Sequence, residues 1–180
     1  MKQLKTLLLL AAISATSILP SCEKVEDLFT FGFNIQNEFT VPPNLPINTP
    51  FTLPSVPMDY NSTETFESNN TNADLVKKIT LDYIKLTILE PVGQDFTFVK
   101  DIEVIFDMEG VGEKTIAWKY DVADTVGQVL DLDVTPDGLE AYLKTDGAKM
   151  TIKVTTDKLT TQPVKISYDI RTRVTANVFK

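Results

Sequence analysis

Trp118, Tyr120 and Tyr142 are the side chains whose type and spacing best suit ligand binding. Trp118 and Tyr120 stand two residues apart, so in an extended strand they share a face, and a row of rings offers an apolar surface on which a sugar ring can stack. A packing role competes with this. Ile116 has the same parity as Trp118, and the lone tryptophan of a small β domain usually belongs to its core, so the core position is preferred for Trp118. Tyr83 and Tyr168 also fall among apolar neighbours and are expected to pack.

Other chemistry is thinner. Asp133-x-Thr135-x-Asp137-Gly138 has the spacing of the front half of a calcium loop, but the twelfth position is Lys144, where a bidentate glutamate is required. A cation there opposes the metal, and a helix cap is the better reading. Glu103 and Asp107 form a carboxylate pair that reads as surface charge on a strand. The chain has no histidine and one cysteine, which removes Ser-His-Asp and Cys-His catalysis and any histidine general base. It has no GxxxxGK[ST] or GxGxxG phosphate cradle. No cofactor, no metal and no catalytic residue is expected, and the protein reads as a non-enzyme.

The one cysteine has a different part. Lys2 and Lys5 precede an apolar run from Leu7 to Ile18, interrupted only by Ser14, Thr16 and Ser17. That run is roughly a dozen residues and ends at Pro20, short of the ~20 that a spanning helix needs. Leu19-Pro20-Ser21-Cys22 resembles the lipobox of bacterial lipoproteins, with an aliphatic residue, a small residue and then cysteine; Pro20 departs from its commonest form. The resemblance implies a signal peptide over 1–21, cleavage before Cys22, and a thioether-linked diacylglycerol plus an amide-linked acyl chain on Cys22. Stable anchoring takes two chains or more, and a triacylated cysteine meets that.

Cleavage after Ser21 would take 21 of the 180 residues, leaving 159, and would move the formal charge from −8 to −10 by removing Lys2 and Lys5. A chain of that length buries a substantial core. Its acidic surface disfavours nucleic acid and anionic headgroups as partners. With Cys22 lipidated, no thiol remains for an internal disulfide.

Residues 22–27 form a lipidated N-terminus and short charged tether. From Phe29 the apolar residues fall on odd positions, namely Phe29, Phe31, Phe33, Ile35, Phe39 and Val41, which is the period of a half-buried strand. The segment 42–72 is rich in proline and asparagine: six prolines predict extended loop with a short strand at Phe51-Thr52-Leu53, and Phe66 is a core candidate. One helical turn is expected over Ala73 to Lys78. Strands follow at Ile79–Leu89, Ile102–Met108, Ile116–Tyr120, Leu130–Val134, Met150–Val154 and Val164–Val178, with a helix from Gly138 to Lys144 started by Pro136. Within Ile79–Leu89 the apolar parity switches between Tyr83 and Ile84, which predicts a bulge or a strand buried on both sides. The pattern predicts one all-β domain over 28–180, an antiparallel β-sandwich (immunoglobulin-like or jelly-roll-like) with one or two short helices; a closed barrel is the alternative.

With lipobox and strands together, the chain resembles the small all-β envelope lipoproteins of gut-type Gram-negative bacteria. That resemblance implies the outer membrane, on its periplasmic or its surface face, with the surface favoured by the acidic residues after Cys22. It also gives Asp124-Thr125-Val126 the form of an O-glycosylation pattern of such proteins. The expected function is a non-catalytic, lipid-anchored binding or structural module for a glycan or an envelope protein. The alternative is a carboxylate-based glycan-processing enzyme.

Overall fold

The computed structural model describes residues 28–177 apart from 59. The expected signal peptide over 1–21, Cys22, the expected tether over 22–27 and Val178 lie outside these residues. Among those described, no helix is long and apolar enough to cross a membrane.

The chain forms an all-β, antiparallel sandwich-like fold. Among the described residues ten strands are hydrogen-bonded together, eight on one path and two as branches: β1 (Leu28–Phe31) on β10 (Val164–Asn177), then β5 (Val76–Glu90), β8 (Val129–Val134), β7 (Gly112–Lys119), β6 (Val99–Met108), β9 (Lys149–Thr156) and β3 (Phe51–Thr52), with β2 (Asn34–Val41) also on β10 and β4 (Val56–Pro57) also on β9. The path stays open rather than closing into a barrel. β8 is the hinge between its layers. Val129 to Leu132 pair with β5, whereas Asp133 and Val134 pair with β7. A strand that changes sheets lets both inner faces share one core.

The parity of β10 is the simplest case of sequence dictating structure. Val164, Ile166, Tyr168, Ile170, Thr172, Val174 and Ala176 are all buried, as alternation requires. The edge strand beside it runs with the opposite parity, and Ile35, Phe39 and Val41 are buried. Phe29, Phe31 and Phe33 are half-buried against the core. Between β1 and β2 the ladder is interrupted, and Thr172 bridges the gap. Its hydroxyl donates to the Phe33 carbonyl at 2.8 Å and accepts from the Phe33 N–H at 3.2 Å. Gly32 is required there, because a Cβ would lie 2.5 Å from the Thr172 carbonyl oxygen.

Two bulges decide which side chains face out. In β5 the register with β10 slips between Leu81 and Tyr83, leaving Asp82 unpaired. Ile79, Leu81, Ile84, Leu86 and Ile88 therefore all enter the core, and Tyr83 is turned outward rather than packed. In β7 the register with β6 slips at Ile116, so Ile116 and Ala117 are both buried. Trp118 then occupies the outer face. The core position expected from its parity with Ile116 is corrected by that one-residue slip.

The segment 42–72 is folded onto the body. Helix α1 (Ser62–Ser68) buries Phe66, whose ring meets Phe31 edge-on at 6.4 Å, and Phe33 stacks on Tyr60 at 6.3 Å. The Tyr60 hydroxyl is 2.8 Å from the Tyr142 carbonyl and 2.5 Å from that of Thr145, while Asp146 accepts from the Ser62 N–H. The helical turn expected over Ala73 to Lys78 is instead a turn ending where β5 begins at Val76. The second helix, α2 (Glu140–Leu143), is shorter than expected and starts at Leu139 rather than beside Pro136. It is stitched to β5 reciprocally: the Leu139 N–H donates to the Ile79 carbonyl and Glu140 accepts from the Ile79 N–H.

Candidate functional site

The bulge in β7 builds a row of side chains across the outer face of the second sheet. Asp133 of β8, Trp118 of β7, Glu103 of β6 and Lys153 of β9 are successive cross-strand neighbours, spanning about 14 Å at ordinary strand spacing. Trp118 is half-buried between the two carboxylate-bearing strands. Tyr120, just past β7, is 51% exposed and donates its hydroxyl to Glu103 Oε1 at 2.7 Å. Lys153 Nζ lies 3.6 Å from the other oxygen, Oε2. That hydrogen bond, then burial and the charges of Glu103 and Asp101, hold the Tyr120 hydroxyl above its ordinary range, so it stays a donor.

Beside this row is a depression of about 140 Å³ lined by Pro50, Asp101, Glu103, Tyr120, Lys153 and Thr155. Asp101 is held at its rim by accepting from the Asp121 N–H at 3.0 Å. The arrangement supplies two rings, carboxylates and an ammonium on one solvent-facing sheet. Such a set can stack the C–H face of a sugar and hydrogen-bond its hydroxyls.

The structure brings together two of the three aromatic residues singled out from sequence. Tyr142 is not among them. It is only 6% exposed, on α2, with its ring 6.4 Å from that of Phe106 in the core. The three-ring platform is therefore corrected to a pair: Tyr142 follows a helical period into the core, while Trp118 and Tyr120 follow the shifted strand outward. Glu103 was legible only as surface charge, and Lys153, Asp101, Thr155 and Pro50 carried no signal. They meet Tyr120 through the registers of β6 with β7 and β9, which no local pattern encodes.

The remaining sequence candidates are placed as follows. Asp133 lies in β8 and pairs with Lys119 at 3.2 Å, and Asp137 pairs with Lys114 at 2.9 Å, so each carboxylate of the calcium-like spacing is taken by a lysine of β7. The Asp137 N–H bonds Thr135 Oγ1 in a local turn, so neither loop nor helix cap forms. Among the described residues, no group of three or more His, Cys, Asp or Glu side chains could hold a metal ion. Asp124-Thr125-Val126 lies in an exposed turn closed by a bond from the Val126 N–H to the Ala123 carbonyl, with Asp124 paired to Lys158.

No protein-family model matches the chain, and no curated protein matches it. Among solved structures, it is similar to a chain of Desmodium yellow mottle tymovirus at 12% identity, over 100% of this chain and 98% of that one, with a TM-score of 0.28. A likeness that low carries no argument about fold or function.

Proposed function

We propose that this protein is a non-catalytic, lipid-anchored module of the cell envelope that binds a glycan on the outer face of its second sheet. The observation that carries the reading is the Tyr120–Glu103–Lys153 cluster beside Trp118: rings and charge-bearing groups held together, exposed, on a rigid sheet. Attachment is through acylated Cys22, on the surface or the periplasmic side of the outer membrane, with nucleic acid disfavoured by the charge of −8.

A carboxylate-based enzyme is the weaker reading. A glycosidase places one carboxyl as acid and a second as base or nucleophile across the scissile bond. Glu103 has one oxygen bonded by Tyr120 and the other facing Lys153, on an open sheet face rather than a cleft. Such a carboxylate is suited to accepting from a ligand hydroxyl.

The test is a glycan array probed with the mature chain, alongside Trp118→Ala and Tyr120→Ala. The proposal expects retained ligands whose binding falls about tenfold or more in either variant, the scale of ~1–3 kcal/mol per stacked or hydrogen-bonded group. Ligands bound equally by both variants, hydrolysis of a bound glycan, or capture of an envelope protein instead would overturn it.

A further inference from the structure

We infer that Asn37 guards the open edge of β2, and that without this guard β2 pairs antiparallel with β2 of a second copy of the chain. The inference is independent of the glycan reading and shares no residue with the Trp118–Tyr120 surface.

β2 is the long open edge of the sandwich. Among the described residues it pairs with β10 alone, and Asn34, Gln36, Asn37, Glu38 and Thr40 are all exposed. The register fixes which backbone groups face outward. The Thr172 N–H donates to the Phe33 carbonyl at 2.9 Å, and the same register runs on through β2. Bonded pairs alternate along an antiparallel ladder, so the odd residues of β2 turn their N–H and C=O groups to β10. Asn34, Gln36, Glu38 and Thr40 turn theirs to the open side. Such a row is a template for another strand unless something blunts it. The far edge of the second sheet is blunted by its build: β3 and β4 have two residues each, with Pro50, Pro54 and Pro57 in and around them. β2 has eight residues and no proline within it.

The strand is complementary to itself, which selects a second copy as the occupant. Two copies of β2 laid antiparallel with Asn37 on the two-fold axis put Gln36 opposite Glu38 and Asn34 opposite Thr40. These are the residues whose backbone groups face the open side, so the ladder between the copies is complete. The Gln36 amide meets the Glu38 carboxylate and no like charges are opposed. Ile35 and Phe39 of the two copies lie opposite one another on the inner face.

Asn37 stands at the centre of that pairing and opposes it. It has the parity of the buried Ile35, Phe39 and Val41, yet it is exposed, and its Oδ1 accepts from the Glu38 N–H at 2.8 Å. The side chain is therefore folded over the open edge, on a donor that the Gln36 carbonyl of a second copy needs. Asparagine is a poor strand former, and a valine at this position would complete the apolar stripe. Local propensity does not account for the residue; the cap does. Pairing has to break the cap in both copies, and at about tenfold for each hydrogen bond lost the two together weaken association about a hundredfold.

The test is sedimentation equilibrium of the chain from Cys22 onward, kept reduced, from micromolar to millimolar concentration. The unaltered chain is expected to stay monomeric. Asn37→Val is expected to dimerise about a hundredfold or more tighter than the unaltered chain associates, with new hydrogen-exchange protection at the Gln36 and Glu38 amides. Asn37→Thr is expected to do the same, which separates loss of the cap from gain of an exposed apolar side chain. Adding Gln36→Pro to either variant should restore the monomer. The Gln36 N–H points away from β10, so proline there costs no backbone bond to β10 but removes one that the second strand needs. Asn37→Val or Asn37→Thr that stays monomeric, a dimer that survives Gln36→Pro, or an unaltered chain already dimeric with a protected Glu38 amide would overturn the proposal.

Discussion

Trp118 stands directly opposite Glu103 across the β6–β7 pair, on the outer face, although it is separated from the buried Ile116 by a single residue. Two residues of equal parity on one strand belong to opposite sides of a sheet only where a bulge intervenes. Here the extra residue is Ile116 itself, which has no partner on β6, and Ile116 and Ala117 both turn inward. The slip takes a ring that would have been lost to the core and sets it beside a carboxylate and a lysine.

The corrected position of Tyr142 gives the first prediction. Its ring is core, so Tyr142→Ala should destabilise the fold by about 3–5 kcal/mol, the usual cost of deleting a buried aromatic side chain. Tyr120→Ala, at an exposed position, should change stability by less than about 1 kcal/mol. Urea unfolding of both variants checks this, and equal effects would contradict the separation of their roles.

At the break between β1 and β2, Gly32→Ala should cost about 1–3 kcal/mol. A Cβ at 2.5 Å from the Thr172 carbonyl forces the edge strand off β10, and the Phe33–Thr172 bonds with it. Hydrogen exchange would show the effect as lost protection at Phe33 and Thr172 with the β5–β8 amides unchanged. Unaltered protection at both would show that the close approach is not needed.

Tyr60 sets an alkaline limit. Burial, then the charge of Asp146, raise its hydroxyl from 10.0 to about 12 in the fold. A folded pKa above the unfolded one means stability that is whole below pH 10 and is lost as pH rises toward 12. Thermal melts should therefore fall across that window. Tyr60→Phe should be less stable at neutral pH by about 1 kcal/mol, through the lost bonds to the Tyr142 and Thr145 carbonyls, yet show a flatter decline above pH 10. A decline of equal slope in the variant would assign the effect to other groups, such as Tyr168, whose hydroxyl burial also raises.

A chain starting at Ala73 should not melt cooperatively, because it lacks β1, β2 and α1 and lays bare the flank of β10 that carries Ile166, Ile170 and Val174. A chain starting at Leu28 should melt as one starting at Cys22 does. Burial of each apolar side chain is worth ~1.5–3 kcal/mol, and Ile35, Phe39 and Val41 alone would remove much of a ~5–15 kcal/mol stability. Matching melting temperatures for the two chains would contradict the placement of this strand.

How much of this was legible in the sequence follows from where period two survives. The even residues of β10 and the odd residues from Phe29 to Val41 keep strict alternation, so both strands and their inner faces could be read directly. In β5 the parity switch at Tyr83–Ile84 announced a bulge, but only the pairing with β10 shows that it merges the two apolar sets onto one face and exposes Tyr83. In β7 the bulge left no such trace, since Ala117 is as ordinary outside as inside. Helix α1 was missed because Ser62 to Ser68 is polar apart from Phe66, and tertiary contacts to Phe31 and Asp146 hold it. The site's charged members were invisible for a related reason: cross-strand neighbours far apart in sequence come together only through register.

The central claim, that Trp118 and its neighbours form the binding surface, can be read directly from the chain's one tryptophan. Intrinsic fluorescence of the chain from Cys22 onward, titrated with an array-selected glycan, should move to the blue and saturate as the partly exposed indole is covered. Glu103→Gln should weaken that titration about tenfold by removing the charged acceptor that Tyr120 and Lys153 hold in place. A glycan that binds by calorimetry while leaving the Trp118 emission unchanged would contradict the account.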